Sequence, residues 1–171
     1  MRTFLMVLLS LILISCMGMP KGVVPVKDFD ETKYLGKWYE IARLDHSFER
    51  GLNKVTAAYD LRSDGGIMVI NRGFSVAENK WKEVEGKAYF VKARDEGHLK
   101  VSFFGPFYGS YIVFDLDEKN YQYAFVSGYN TSYLWLLSRT PTISKEVKEK
   151  FIKKSKALGF DTDNLIFAEH N

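Results

Sequence analysis

Few residues in this chain could carry covalent chemistry. There is one cysteine, Cys16, and the three histidines, His46, His98 and His170, show no metal-ligand spacing. No Gly-x-Ser-x-Gly occurs either. An enzyme acting on lipid would need a nucleophile, a metal or an acid/base pair in its cavity; none is visible, and no catalytic residue, metal or cofactor is assigned. What the chain has in quantity is aromatic surface: ten Tyr, thirteen Phe and three Trp, 15% of 171 residues. Such side chains favour β-structure and can line a pocket with apolar faces and a few polar tips. One of them, Trp38, follows Gly36 by two residues at the start of a strand-like run, Gly36 to Arg43. The glycine permits a tight turn where a Cβ would clash, and the indole then projects to one fixed side of the strand.

Cys16 has a separate role. Arg2 precedes an apolar run from Phe4 to Ile14, broken only by Ser10, which is too short to cross a bilayer as a mature helix and suits a cleaved export signal. The run ends in Leu13-Ile14-Ser15-Cys16, which resembles the bacterial lipobox, where a small residue precedes the cysteine that is acylated and becomes the mature N-terminus. Acyl chains there would anchor the protein, each buried CH₂ contributing ~0.8 kcal/mol. Met17 takes the place of the aspartate that marks inner-membrane retention, so delivery to the outer membrane, lipid-anchored on its periplasmic face, is expected. Residues 1–15 are thus read as a lipoprotein signal, 16–28 as an acylated N-terminus and flexible tether around the Gly/Pro-containing stretch Gly18 to Pro25, and 29–171 as one folded domain. The formal charge of +3 is mild and scattered, and no nucleic-acid partner is expected.

The domain reads as strands. Val55, Ala57, Tyr59 and Leu61 share one face, and Ser63-Asp64-Gly65-Gly66 turns the chain into Ile67 to Phe74. Val84, Gly86, Ala88 and Phe90 alternate with charged residues and Tyr89, and after Asp95-Glu96-Gly97 so do Leu99, Val101 and Phe103 with Lys100 and Ser102. Further strands run Tyr111 to Leu116, Tyr121 to Ser127 and Tyr133 to Ser138. Eight strands in meander order lose both open edges only by closing on themselves, so the fold expected is all-β, an eight-stranded antiparallel up-and-down barrel. Gly86 and Ala88 on an inward face suggest room inside. After Thr140-Pro141 the period changes: Ser144 caps a helix carrying Val147, Phe151, Ile152 and Leu158, and Gly159 stops it, giving one C-terminal α-helix packed outside. Its six lysines are read as a solvated face, and Leu165-Ile166-Phe167 as a last short strand.

Gly36-x-Trp38, the eight-strand meander and Trp135-Leu136-Leu137-Ser138-Arg139 before a C-terminal helix together resemble the lipocalins, most closely the bacterial outer-membrane lipocalins of the apolipoprotein D type. Gly36 to Arg43, Phe103 to Gly109 and Leu137 to Pro141 carry the likeness. It implies that Arg139 lies across Trp38 at the closed end, a structural and not a catalytic contact. Where many members have Thr-Asp-Tyr this chain has Leu116-Asp117-Glu118, and the disulfides of animal relatives cannot form. By resemblance the barrel binds small hydrophobic molecules. Tyr59, Asn71 and Trp135 match pocket positions of apolipoprotein D-like relatives, and alternation adds Phe90, Phe103 and Tyr111. Glu40, in phase with Trp38, is either a buried carboxylate or faces a polar mouth, and has no role assigned. The ligand implied is a fatty acid or lysophospholipid, stored or carried for membrane maintenance. The rival readings are a lipid-modifying enzyme using the same cavity, and a barrel scaffold for a protein partner, with Phe104 to Tyr108 an exposed aromatic patch and Gly105-Pro106 a turn or the seam of a homodimer.

Overall fold

A meander of short strands leaves two bare edges unless its first and last strands meet, and in the computed structural model, which describes residues 18–170, they do. The strands are β1 (Gly36–Arg43), β2 (Leu52–Leu61), β3 (Ile67–Ser75), β4 (Lys80–Phe90), β5 (His98–Ser102), β6 (Gly109–Leu116), β7 (Tyr123–Ser127) and β8 (Leu134–Ser138). Each pairs antiparallel with the next, and β1 pairs with both β2 and β8, so the eight form a closed barrel. A two-residue strand, β9 (Ile166–Phe167), adds to β1 from outside, Ala42 facing Phe167. The export signal and Cys16 lie outside the described residues.

Two irregularities decide which side chains reach the interior. In β1, Glu40 faces Leu137 of β8 but the next pair is Ala42 with Leu136, so Ile41 is an extra residue. One inserted residue reverses the strand's alternation. Trp38 and Glu40 point inward before the bulge; Ile41 and Ala42 join the outer hydrophobic cluster, and Arg43 turns back to place its Nη1 2.6 Å from Glu40 Oε1. A matching shift in β6 between Val113 and Asp115 keeps Val113 and Leu116 inside while Phe114 and Asp115 both face out.

That outer face is covered by α2 (Lys145–Ala157), whose Ser144 Oγ accepts from Val147 N–H and whose end is followed by Gly159 at φ +84°. Phe151 is fully buried against Phe125, with Ile112, Leu134 and Leu136 beneath. The helix lysines are not all solvated: Lys150 and Lys154 each donate to Asp115 at 2.7 Å, fixing the helix to the bulged strand.

The floor is built by an element too short to leave a period. Asp30 caps a single helical turn, α1 (Glu31–Tyr34), accepting from Thr32 N–H at 3.0 Å. The turn sets Tyr34 under Trp38, ring centres 4.8 Å apart, and the Tyr34 carbonyl accepts from Trp38 Nε1 at 2.8 Å. From the other side Arg139 lies 3.9 Å over the indole and donates to the carbonyls of Lys33, Lys37 and Tyr121. Gly36 has φ +89°, a left-handed conformation that a side chain makes costly, which explains the glycine.

The stretch expected as a flexible tether differs from that reading. Residues 18–28 run along the barrel wall: Gly18 O accepts from Ser110 Oγ, Val26 exchanges backbone hydrogen bonds with Val113 and Gly97, and Val23 is buried against the α2 side. Composition marked the segment as irregular, but irregular backbone becomes fixed once its polar groups find partners.

Candidate functional site

The floor cluster fills only the lower part of the interior. Above it lies a cavity of about 260 Å³, open at the end where the β1–β2 and β7–β8 loops meet. Tyr59, Asn71, Phe103, Tyr111 and Trp135 line it, as does a belt of Val55, Ala57, Val69 and Leu137. Phe90 does not. It sits lower, two residues along β4 from Ala88, the partner of cavity-lining Val101, with its ring 6.1 Å from Phe29 and beneath the Arg94 guanidinium, where the N-terminal segment crosses the floor. Alternation gave its side of the sheet correctly but not its height. Nor is Gly86 the source of room. A Cβ on it would fall 2.6 Å from the Phe103 ring and 2.8 Å from Ser102 O, so the glycine makes space for Phe103 to lie flat on β4.

Two polar groups interrupt the apolar walls. Near the floor, Tyr111 Oη is 2.6 Å from Tyr34 Oη and 2.9 Å from Tyr59 Oη. Burial raises all three phenols well above the usual tyrosine range, so they stay neutral donors.

The second group lies under the mouth. Glu40 (2% exposed), Arg43 (3%), His46 (6%) and Glu49 (7%) are buried together, and both carboxylates face the cavity. Arg43 Nη1 bonds Glu40, its Nη2 reaches the carbonyls of Glu49 and Leu52 at 3.3 Å, and Trp135 Nε1 donates to Glu49 Oε2 at 3.3 Å. Burial, with Glu49 close by, pushes Glu40 up to about 8 although Arg43 opposes this; burial raises Glu49 as well, and lowers His46 to about 4. Two carboxyl groups buried side by side with one guanidinium favour a proton on one of them. Of these four, sequence reading noticed only Glu40, by its phase with Trp38. Arg43 was hidden by the bulge, and His46 and Glu49 lie in a loop without period. Above them stack His46 on Phe48 at 3.9 Å, Phe48 near Tyr133 at 6.3 Å, and Tyr133 on Trp135 at 6.2 Å.

Against known proteins, the profile of a family described as lipocalin-like domain matches residues 29–170. The chain is 62% identical over 169 residues, 99% of each chain, to "Outer membrane lipoprotein Blc" of Vibrio cholerae, and 54% identical over 150 residues, 88% of this chain and 84% of the other, to the protein of the same name in Escherichia coli K12. Among solved structures, insecticyanin of the tobacco hornworm superposes with a TM-score of 0.70 at 24% identity, covering 90% of this chain and 87% of its own, and lobster apocrustacyanin A1 with 0.67 at 20%, covering 89% and 93%. At those identities the two structures speak for the fold.

Proposed function

The chain belongs to the lipocalin family, a family of binding proteins for small hydrophobic molecules, and from that membership we propose that it carries single-chain lipids, fatty acids or lysophospholipids, at the outer membrane. The observation that carries the reading is the cavity above the Trp38 floor, apolar along its belt and polar at its mouth. Its volume of about 260 Å³ falls just under the range of about 300–1,000 Å³ usual for small-molecule sites, which suits one acyl chain better than two. Tyr59, Asn71, Phe103, Tyr111 and Trp135 are the contacts proposed for the ligand.

Close relatives named outer membrane lipoprotein support the same location here. With Cys16 acylated, the barrel would hang from the periplasmic face of that membrane. Fatty-acid labelling tests this: wild type takes up label, and Cys16→Ala does not. For the cargo, organic extraction of the purified protein followed by mass spectrometry should release a single-chain lipid. Added lysophospholipid should quench tryptophan fluorescence through Trp135; saturating lipid with no change in fluorescence or native mass would refute the reading.

A second reading concerns partners. Phe104 and Phe107 are 74% and 71% exposed on the β5–β6 loop, which favours a self-association seam there. Light scattering over a concentration series, with and without lipid, distinguishes dimer from monomer.

A further inference from the structure

The cluster under the mouth is short of one positive charge. Two carboxylates, Glu40 and Glu49, face the cavity, and among the described residues the buried cation beside them is the Arg43 guanidinium. The other groups in reach do not help. His46 is kept neutral by burial, Asp45 and Arg50 satisfy each other at 2.6 Å at the exposed side of the loop, Tyr59 on β2 is a neutral phenol, and Trp135 on β8 contributes one N–H. An uncompensated buried carboxylate is costly unless a proton or a cation meets it.

A second observation is that Glu49 is poorly met by the groups around it. His46 is 6% exposed and neither ring nitrogen has a protein hydrogen-bond partner, although Nε2 stands 3.1 Å from Glu49 Oε2. The Arg43 Nε–H stands 3.8 Å from the same oxygen, too far to hydrogen-bond it, so Glu49 lacks a close cation of its own. The wall around Glu49 is aromatic: Phe48, Tyr133 and Trp135 line the cavity beside it. Carboxylates set among π faces complement an alkylammonium, which gains from both.

We propose that the Glu40–Glu49 pair, walled by Phe48, Tyr133 and Trp135, seats a cationic head group, so that the cavity selects single-chain amphiphiles ending in an ammonium or quaternary ammonium over those ending in a carboxylate. Before the cation arrives, a proton on one of the two carboxyls supplies the missing charge. When an ammonium enters, it takes over that charge and the proton leaves to water, so binding the cation releases a proton. A carboxylate-headed ligand finds no free cation there and would need a further proton. This inference rests on the lipid-carrier reading and names the head group that reading leaves open.

Three probes of equal chain length separate the two. The full chain, purified in digitonin to avoid a competing alkyl detergent, is titrated with 12-bromododecyltrimethylammonium, 12-bromododecanoate and the neutral glycerol monoester of the latter, read by tryptophan quenching. At pH 7 the ammonium probe should bind at least tenfold tighter than the carboxylate. Its affinity should rise as pH goes from 6.5 through 8, while that of the carboxylate falls. Glu49→Gln, which keeps the Glu40–Arg43 ion pair and so leaves the cluster neutral, should bring the ratio near one, and continued quenching by the glycerol ester reports that the variant is folded. Equal affinities for the charged probes in wild type, or a preference that survives Glu49→Gln, overturn the head-group site while the carrier reading stands. If none of the three probes quenches, the carrier reading fails with it.

Discussion

Replacing Arg139 with alanine tests the floor of the barrel. The guanidinium lies 3.9 Å over Trp38 and donates to Lys33 O at 2.6 Å, Lys37 O at 2.9 Å and Tyr121 O at 3.3 Å. The stacking contributes ~1 kcal/mol in a partly desolvated setting. Each hydrogen bond adds ~0.5–1 kcal/mol, below the value for a fully buried charged donor, because water can replace the guanidinium at the exposed lysine carbonyls. The expected loss is about 3 kcal/mol, or about 6–12 °C in Tm for a domain of this size. Urea unfolding followed by circular dichroism measures it. Arg139→Lys should recover the contact with the ring but not the three-carbonyl clamp, which needs a planar fork. A cycle with Trp38→Leu should return a coupling of about 1 kcal/mol. A loss below about 1 kcal/mol for Arg139→Ala, or strict additivity in the cycle, would show that the floor is held by Tyr34 and the surrounding apolar contacts instead.

Other substitutions probe other parts of the same construction. Gly86→Ala puts a methyl against the Phe103 ring and Ser102 O, so it should cost ~1–3 kcal/mol and tilt Phe103 into the cavity; urea midpoints and ligand titration check both. Asn71→Trp should keep the fold and weaken lipid uptake at least tenfold by occupying the cavity, seen by native mass spectrometry. Asp115→Ala leaves Lys150 and Lys154 without their shared partner and should loosen α2, with amide exchange rising at Phe151 before the barrel strands. The pH profile has a definite sign. Glu40 is held above its unfolded value, so its contribution to stability is complete below about pH 4.5 and is lost as pH rises to about 8; His46 is held below its own, so its contribution is complete above about pH 6.5 and is lost as pH falls to about 4. Between pH 6.5 and 8 only the first acts, stability should decline, and Glu40→Gln should flatten that slope in thermal denaturation.

What could be read from the chain alone was set by how local the determining physics is. Alternation between apolar and polar residues is imposed residue by residue, so the strands, the barrel closure and the exterior helix with its Ser144 cap and Gly159 stop were visible, as was the Trp38–Arg139 pairing once the family likeness was drawn. The bulges at Ile41 and between Val113 and Asp115 were not, because an inserted residue is defined by the partner strand and leaves no mark in its own. Their effect is large: Arg43 enters the interior, and Asp115 meets the helix. The α1 turn is shorter than one helical repeat. The wall-hugging stretch from Gly18 to Asp28 earns its order from contacts more than 60 residues away, such as Val26 with Gly97 and Val113.

These features also explain how a small domain tolerates a hole. At the ~24 cal/mol per Å³ found for dry cavities left by core truncation, 260 Å³ would cost ~6 kcal/mol, comparable with the whole stability of many domains. Two arrangements offset that. On the outer face Ile41, Ile112 and Phe114, joined by Ala42 through the β1 bulge, form a second core with Phe125, Phe151 and Phe160, which is independent of what the barrel holds. The cavity walls meanwhile carry Glu40, Glu49, Tyr59, Asn71 and Tyr111, so water entering by the mouth finds partners and the space need not be dry. Filling it should therefore raise stability by the free energy of binding alone, and leave the helix-side core unchanged. Amide exchange with and without lipid would show slowing confined to strands that face the cavity.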